Sequence, residues 1–534
     1  MVETLQILLL LLVVIAAVAV VATRLQIPLA IPLVVTGVVL ALVPGLPSID
    51  LVPEAVLLLV LPPIIYSAAV AMSWRDFRFN LRPIALLAVG CVVFTAAVVA
   101  AATHFLLGLP WALGFVLGAI VSPPDAVAPL AIARRLQLPR RLLVILEGEG
   151  LANDATALIL YRFAVVAVSV GAFSLGKATT TFAVIVAGEI AWGIAVGWLM
   201  LRLRRWVGDP RIEITLSMLT PFLAFWPPQH LGGSGVLATV TTGLYISWNG
   251  LLLISAATRL QGIFFWDFLI YLTEGMVFLI TGLQARGLVA RIHDFNTAEL
   301  IISAAVVSVV VIVSRFVWMY PAVYLPRWLS PSLRRRDPAP PWTWPFALAF
   351  TGIRGIVSLA AALAIPFTTA SGDPFPGRDL ILFLTFTVIL VTLVVQGLML
   401  PTVMRWLGLA NAGQQEREAE RLEEDHARQE AIMAACQRVG TLAAERGIAP
   451  EFIAPIRAFH EDRLRQLDRR VAAEDSERQL GALRDDIERL LVETERQRIN
   501  ELYRAGKLKD EPRRRLEREL DLREANLANQ RGEE

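Results

Sequence analysis

The chain has 534 residues, of which 56% are hydrophobic and only 18% charged, and its formal net charge is +2. Its mean hydropathy is +0.60. Soluble domains are nearer half apolar and a quarter charged, so this composition excludes an ordinary soluble protein. The charge is uneven, because residues 411–534 hold 24 basic and 29 acidic residues and residues 1–410 hold the other 25 basic and 18 acidic residues.

Apolar segments follow one another along residues 1–410, and a bilayer requires about 20 residues of helix for each crossing. The first segment begins at the N-terminus after Glu3, with no Lys or Arg before it, which favours a membrane span over a signal peptide. We therefore predict an all-α polytopic membrane domain over residues 1–410 with about thirteen spans. The predicted spans are 4–22, 29–45, 51–70, 83–107, 111–132, 142–170, 178–200, 212–227, 232–248, 264–284, 299–321, 343–366 and 379–402.

The basic residues predict the orientation of these spans. With the N-terminus outside, the inside loops hold 18 Lys and Arg residues and the outside loops hold four. The other three, Arg162, Arg315 and Arg354, fall within spans. This asymmetry follows the positive-inside rule. We expect a plasma (inner) membrane protein with its N-terminus outside and its C-terminal tail in the cytoplasm.

Two spans differ from the others because their helices are expected to break. The fifth contains "SPPDAVAP", with prolines around Asp125, and the twelfth contains "TGIRGIVS", with Arg354 between two glycines. Interrupted helices at corresponding places in two halves are typical of inverted-repeat transporters. If the seventh span is a linker, spans 1–6 and 8–13 are the two halves, and the two breaks occupy equivalent positions.

Ionisable residues inside a bilayer are costly and are therefore candidates for function. The densest group is "LEGEGLANDATALILYR" in the sixth span, where Asn153 and Asp154 lie deep in apolar sequence. In the fifth span, the prolines beside Asp125 release backbone carbonyls from the helix. Free carbonyls can coordinate a cation whose charge the carboxylates neutralise. The two spans together predict a cation site.

Three further charged groups complete the candidates. Glu274 in the tenth span is followed by glycine, which suggests a polar crevice, with Ser67 in the third span as a second possible lining residue. Glu189 in the seventh span has no partner that the sequence identifies. Arg354 needs a carboxylate partner in low dielectric. We predict that Arg354 forms a structural ion pair with Glu149.

The ordered motifs resemble the cation:proton antiporter-1 family, the sodium/proton exchangers. The resemblance covers about residues 5–405 and includes "GAIVSPPDAVAP" followed by "LEGEGLANDATALILY", "LPPIIYSAA" in the third span, the Glu274 stretch and "GIRG" in the twelfth. It implies secondary active exchange of a monovalent cation, with Na+ expected, for H+. It also implies a homodimer, a role in pH homeostasis, and neither enzymatic activity nor a cofactor.

The resemblance also implies residue roles. Asp154 is the carboxylate that binds either Na+ or a proton, and Asn153 helps to hold the site. The amide of Asn153 marks the electroneutral branch, because electrogenic relatives carry a second aspartate there. Asp125 and the backbone of Pro124 and Gly150 shape the unwound crossing.

Three departures from the family pattern leave the transported ion open. Gly150 replaces a serine, Pro124 replaces a threonine, and Ser67 stands where some relatives place an acid. Fewer side-chain oxygens favour either water in their place or a larger, less hydrated ion. A K+/H+ antiporter of the same fold, with K+ or Li+ as further candidate ions, is therefore an alternative.

The tail, residues 411–534, is predicted to form a charged helical cytoplasmic domain, because its apolar residues recur at helical spacing. Its balanced charge excludes a nucleic-acid arm. Other functions remain alternatives: a cation or pH sensor of the antiporter fold, a channel, and an intramembrane serine protease based on "GGSG" around Ser234. The protease alternative lacks a convincing histidine base near that serine.

Overall fold

The computed structural model describes residues 2–43, 53–170, 175–250, 253–291, 296–369, 372–446, 449–472, 475–505 and 507–531. These residues form helices joined by short connections, and no β-strand occurs among them. The main helices are α1 (Val2–Leu25), α2 (Ala30–Ala41), α3 (Pro53–Ala71), α4 (Leu81–Leu107), α5a (Trp111–Val121), α5b (Val127–Arg135), α6 (Arg140–Val170), α7 (Leu175–Val207), α8 (Pro210–His230), α9 (Val236–Asn249), α10 (Ala256–Leu283), α11 (Thr297–Leu329), α12a (Thr343–Phe350), α12b (Ile356–Leu363), α13 (Arg378–Trp406), α14 (Leu409–Arg446), α15 (Pro450–Ala472), α16 (Asp475–Arg504) and α17 (Asp510–Arg531). Short helices at Trp74–Phe79, Ala285–Arg291 and Pro331–Arg336 lie in the connections.

The predicted all-α membrane fold is confirmed. Within the described residues, eight helices are long and apolar enough to cross a membrane, and α2 and α5a are shorter apolar helices. Each of the thirteen predicted segments coincides with a helix or with a pair of half-helices. The total number of crossings stays a prediction, because α8, α9 and the halves of the twelfth segment do not meet the length and hydropathy of a complete span on their own.

Both predicted breaks are present. Helix α5a ends at Val121 and α5b begins at Val127, whereas α12a ends at Phe350 and α12b begins at Ile356. The first break contains two consecutive prolines, which cannot donate the helical hydrogen bond. In the second break, Gly355 has an extended backbone with φ −142° and ψ −145°. The two breaks leave backbone polar groups that need other partners inside the protein.

Helix α5a is held close to α4 by glycines on one of its faces. A Cβ atom at Gly114 would lie 2.9 Å from the Cα of Ala100, and one at Gly118 would lie 2.9 Å from the Cα of Ala96. Real Cβ atoms essentially never come that close to backbone, so both positions require glycine in this packing. Small residues allow membrane helices to approach closely where no hydrophobic force drives them together. This contact fixes the half-helix that leads into the first break.

Contacts divide the chain into two compact units, Met1–Gln414 and Gln415–Glu534. Within the second unit, α16 and α17 pack as an antiparallel pair. Arg496 of α16 lies 2.8 Å from Asp521 and 2.7 Å from Glu524 of α17, and Val492 and Leu520 are buried between the helices. Its cytoplasmic location stays a prediction.

Candidate ion-binding site

The two breaks meet each other. The backbone N–H of Asp125 in the first break donates to the carbonyl of Ile353 in the second, at 2.7 Å. A Cβ atom at Gly355 would overlap the carboxylate of Asp125, so glycine is required where the two extended segments touch. The Oδ1 atom of Asp125 also accepts from the N–H of Val127, the first residue of α5b, at 3.0 Å. Residues more than 220 positions apart in the sequence thus share one crossing point.

Arg354 lies at this crossing and binds backbone carbonyls instead of the carboxylate predicted for it. Its Nε donates to the carbonyl of Val121 at 2.8 Å, and its Nη2 donates to Ser122 at 3.4 Å. Its Nη1 donates to the carbonyl of Gly352. Carbonyls at the C-terminal end of a helix lack amide partners and carry partial negative charge. Arg354 therefore caps α5a from the opposite break.

The predicted pairing of Glu149 with Arg354 is wrong, because Glu149 pairs with Arg315. The two guanidinium nitrogens of Arg315 lie 2.5 and 2.8 Å from the two carboxylate oxygens of Glu149. Both side chains are 1% exposed. Arg315 also donates from Nε to the carbonyl of Leu348 at 3.0 Å, near the end of α12a. This bidentate geometry satisfies the Glu149 carboxylate without Arg354.

Arg315 is the residue of the site that the sequence interpretation missed. It was recognised as one of three basic residues within spans, and its depth in α11 was the available signal. Helix α11 carries no break or motif at this position, so nothing local singled it out. In the folded protein, Arg315 and Arg354 perform matching tasks, since each binds carbonyls near the end of a half-helix.

Asp154, Asn153 and Asp125 contribute oxygen atoms that accept no hydrogen bond from the described residues. Asp154 is 9% exposed and forms no hydrogen bond or ion pair with any residue that the structure describes. The carboxylates of Asp154 and Asp125 are close enough for their negative charges to repel each other. Asn153 Nδ2 donates to the carbonyl of Pro124 at 2.7 Å, whereas Asn153 Oδ1 and Asp125 Oδ2 are buried with no hydrogen-bond partner among the described residues. Buried oxygens without donors are suited to a proton or a cation.

Gly150 allows α6 to pack tightly against the first break. A Cβ atom there would lie 2.5 Å from the Cβ of Ala126, so a serine would displace the segment next to Asp125. Gly150 lies inside the continuous helix α6, where its carbonyl faces the amide four residues later. Coordination of an ion by the Gly150 carbonyl stays a prediction, whereas the close packing of Gly150 against Ala126 is observed.

Glu274 and Ser67 were predicted to line a polar crevice. Glu274 lies on α10, is partly buried, and is within electrostatic range of Asp125. No hydrogen bond of the described residues joins Glu274 to Asp125 or Asp154, so its part in the site stays a prediction. Ser67 lies on α3 and is partly buried, and no hydrogen bond of the described residues joins it to Asp154 or Asp125. The role of Ser67 stays a prediction.

Glu189 has the partners that the sequence did not identify. Its carboxylate accepts hydrogen bonds at the N-terminal end of α9 from the backbone N–H groups of Ser234 (2.5 Å), Gly235 (3.0 Å), Leu237 (3.0 Å) and Ala238 (3.3 Å), and from the hydroxyl of Ser234. A carboxylate is stabilised there by the helix dipole and by the free N–H groups. Ser234, the candidate protease nucleophile, is fully buried and donates its hydroxyl to Glu189 rather than to a histidine.

The family of this chain is shown by a match over most of its length. The family described as sodium/hydrogen exchanger, transmembrane, matches residues 8–406. The chain belongs to the sodium/hydrogen exchanger family. The fold and family are those of transporters, and together with the site they support cation/proton antiport.

Named relatives of this exchanger come from several bacteria. It is 36% identical to an uncharacterized Na+/H+ exchanger of Mycobacterium bovis, over 95% of this chain and 93% of that protein. It is 33% identical to a sodium, potassium, lithium and rubidium/H+ antiporter of Bacillus pumilus, over 70% of this chain and 57% of that protein. The Na+/H+ antiporter NhaS2 of Synechocystis is 32% identical over 77% of this chain and 71% of that protein.

A solved structure supports the fold of the exchanger. The sodium proton antiporter MjNhaP1 from Methanocaldococcus jannaschii, determined at pH 8, matches with a TM-score of 0.61 at 18% sequence identity. The match covers 76% of this chain and 99% of that chain. At this identity the likeness shows the shared antiporter fold.

The cap formed by Glu189 gives a first test of the exchanger's architecture. We expect Glu189→Gln to lower the free energy of unfolding by about 2 kcal/mol or more, because the charge-assisted hydrogen bonds to the α9 terminus are lost. Thermal unfolding of the purified protein in detergent measures this. Ser234→Ala is the matched control, since it removes one of the donors and leaves the carboxylate. An equal melting temperature for Glu189→Gln and the native protein would contradict the proposed cap.

Proposed function

We propose that this protein exchanges one monovalent cation, with Na+ expected, for one H+ across the membrane, and that both compete for Asp154. The observation that carries the proposal is the buried Asp154 carboxylate, which has no protein partner among the described residues and lies beside the crossing of two broken helices. A carboxylate in such a place must be neutralised either by a proton or by a cation.

Three oxygen-bearing groups support cation binding at this place. Asp125 Oδ2 and Asn153 Oδ1 are buried without a hydrogen-bond donor among the described residues, and the described residues form no hydrogen bond to the 9% exposed Asp154. The side-chain nitrogen of Asn153 donates to the carbonyl of Pro124. The nitrogen is thereby engaged, and the side-chain oxygen remains available to a cation. The buried Arg315 is paired with Glu149 and forms no ion pair with Asp154.

Exchange results if the site moves between the two sides of the membrane only while Asp154 carries a proton or a cation. The state in which Asp154 carries neither must not move. The proton and the cation each neutralise Asp154, so either form moves without exposing a bare charge to low dielectric. Binding of one expels the other. Because Asn153 is neutral, one cation replaces one proton and no net charge moves in a cycle.

The identity of the cation is the open part of the proposal. The Bacillus pumilus relative is named for sodium, potassium, lithium and rubidium, and the hydroxyl groups of the family's serine and threonine are absent at Gly150 and Pro124. The direct measurement is proton release from purified protein in liposomes after addition of Na+, K+ or Li+ in turn. A response to K+ alone would replace Na+/H+ exchange with K+/H+ exchange, and the absence of any response would contradict antiport.

Competition predicts a definite pH dependence. We expect the cation concentration for half-maximal exchange to rise about tenfold for each pH unit below the pH at which Asp154 is half protonated, because one proton occupies the same carboxylate. At higher pH this concentration should become constant. The measurement is cation-dependent exchange in liposomes at a series of pH values.

Electroneutrality is tested in the same liposomes. The membrane potential across the liposomes is best imposed with a thiocyanate gradient rather than a K+ gradient, because K+ is itself a candidate substrate. We expect the exchange rate to be independent of this potential. A rate that follows the potential, or a pH slope that stays flat on the acidic side, would overturn one-for-one competition at Asp154.

We also propose a plasma membrane location with the N-terminus outside, a cytoplasmic tail and a homodimeric assembly. The asymmetry of the basic residues supports the orientation. A cysteine accessibility assay tests it in a protein whose free tail cysteine, Cys436, is replaced by serine. A cysteine introduced at the exposed position Arg335 should then react with an impermeant maleimide only in inverted vesicles. Such a protein would contribute to pH homeostasis.

A further inference from the structure

A second charged cluster joins the ends of three helices outside the candidate ion-binding site. Arg82 at the start of α4, Arg141 at the start of α6 and Arg327 near the end of α11 all bind Asp337, which follows α11 in the chain. The nitrogen–oxygen distances to the Asp337 carboxylate are 2.6, 3.0 and 2.8 Å. Three guanidinium groups face one carboxylate, so the cluster carries two uncompensated positive charges.

The cluster has donor capacity that Asp337 does not use. Each arginine carries five N–H groups, and one carboxylate accepts only some of them. Arg82 Nη1 is buried and has no hydrogen-bond partner in the described part of the chain. Arg327 is 7% exposed and is anchored by its remaining nitrogens to the carbonyls of Asp337 and Val323. A buried charged donor without an acceptor is costly, which favours a bound anion.

Space for an anion lies next to these donors. The three arginines line a cavity of about 40 Å³, which has room for about three waters or one compact polyatomic anion. The N-terminal ends of α4 and α6 lie at Arg82 and Arg141, and they add to the positive potential. The rest of the lining is apolar, with Leu86, Ile145, Met319, Val323 and Trp344.

We propose that this cluster, formed by Arg82, Arg141, Arg327 and Asp337, binds a phosphate group. Guanidinium groups match phosphate oxygens in charge and geometry better than other side chains do. The apolar lining adjoins the arginines at the membrane end predicted to be cytoplasmic, where anionic phospholipids concentrate. Inorganic phosphate and an anionic lipid headgroup share this chemistry. The proposal is independent of the ion exchanged at Asp154.

A purely structural clamp is the contrasting role. In that case Asp337 alone gathers the three helix ends, and an added anion would compete with it without stabilising the protein. The two roles predict different effects of added phosphate on the native protein. A clamp gains no stability from phosphate, whereas an anion site is stabilised by it, and removal of the competing Asp337 carboxylate should strengthen that response.

The experiment measures the melting temperature of the full-length protein in a neutral detergent. One arm adds inorganic phosphate as its Tris salt at constant ionic strength, balanced with chloride, because Na+ and K+ are candidate substrates. The other arm adds micelles that contain phosphatidylglycerol, with phosphatidylcholine as the comparison. We expect a saturable rise with phosphate or with phosphatidylglycerol, and a smaller one or none with chloride or phosphatidylcholine.

Variants assign the response to the cluster. We expect Arg82→Lys to weaken the apparent phosphate or phosphatidylglycerol affinity about tenfold or more, because it keeps the charge but loses the Nη1 donor. Asp337→Asn should strengthen the response. Arg335→Gln is the matched control, since Arg335 is an exposed arginine of the same connection outside the cluster.

Each outcome decides the proposal. A rise with phosphate alone assigns the site to a free phosphate, and a rise with phosphatidylglycerol alone assigns it to a lipid. The proposal is overturned if neither raises the melting temperature, if Arg82→Lys responds like the native protein, or if Arg335→Gln weakens the response as much as Arg82→Lys does. A response in Asp337→Asn no stronger than that of the native protein would contradict the premise that Asp337 competes with the anion for the three arginines.

Discussion

Asp154→Asn is expected to reduce cation-dependent proton movement to the level of empty liposomes while the protein stays folded. Asparagine neither takes up a proton in this pH range nor offers the negative charge that a cation requires. The variant should unfold at the same temperature or higher, because it removes a buried carboxylate that has no partner in the described part of the chain. Proton release in liposomes and thermal unfolding in detergent measure the two effects.

The matched control is Asp267→Asn, which removes an exposed carboxylate from α10 in the same membrane domain. Exchange by this variant should remain close to that of the native protein. Exchange above background in Asp154→Asn would refute the central role of Asp154. A variant that loses both exchange and folding would instead assign Asp154 to the structure.

Arg315→Ala should lower the free energy of unfolding more than Glu189→Gln or Asp154→Asn does. It leaves Glu149 as an unpaired buried charge and removes a donor from the carbonyl of Leu348. Breaking a buried ion pair by removing one partner costs about 3–5 kcal/mol. We expect a large fall in the yield of folded protein and a lower melting temperature, measured by size-exclusion chromatography and thermal unfolding.

A double-mutant cycle identifies the partner of Glu149. The coupling energy between Glu149→Gln and Arg315→Gln should be about 2 kcal/mol or more, because the second substitution costs little once the first has removed the charge. The coupling between Glu149→Gln and Arg354→Gln should be much smaller, since Arg354 binds the carbonyls of α5a. Equal coupling to both arginines would contradict the assignment from the structure.

The residues around the two helix breaks show how much of the structure the local sequence pattern predicts. Prolines beside Asp125 and glycines around Arg354 predicted where α5 and α12 end, because these residues act on their own backbone. The position of Asp154 deep in an apolar span predicted a buried carboxylate. These inferences needed only neighbours within about a turn of helix.

The partners of the charged groups were not predictable in the same way. Arg354 was assigned to Glu149 because both were buried charges close to the breaks, yet several arrangements of the helices would satisfy that condition. The rotation and depth of α11 place Arg315 against Glu149, 166 residues away in the sequence. Glu189 likewise finds donors only because the connection before α9 folds against α7.

The amino-acid sequence by itself determined the helices, the two breaks and the acidic residues that lie beside them, since apolar length, proline, glycine and buried charge act locally. The tertiary structure alone decided which charges neutralise one another: Arg315 pairs with Glu149, Arg354 caps α5a, and Asp154 has no partner among the residues that the structure describes. The physical reason is that a buried ion pair depends on distance and angle in three dimensions, which helix packing sets and sequence spacing does not.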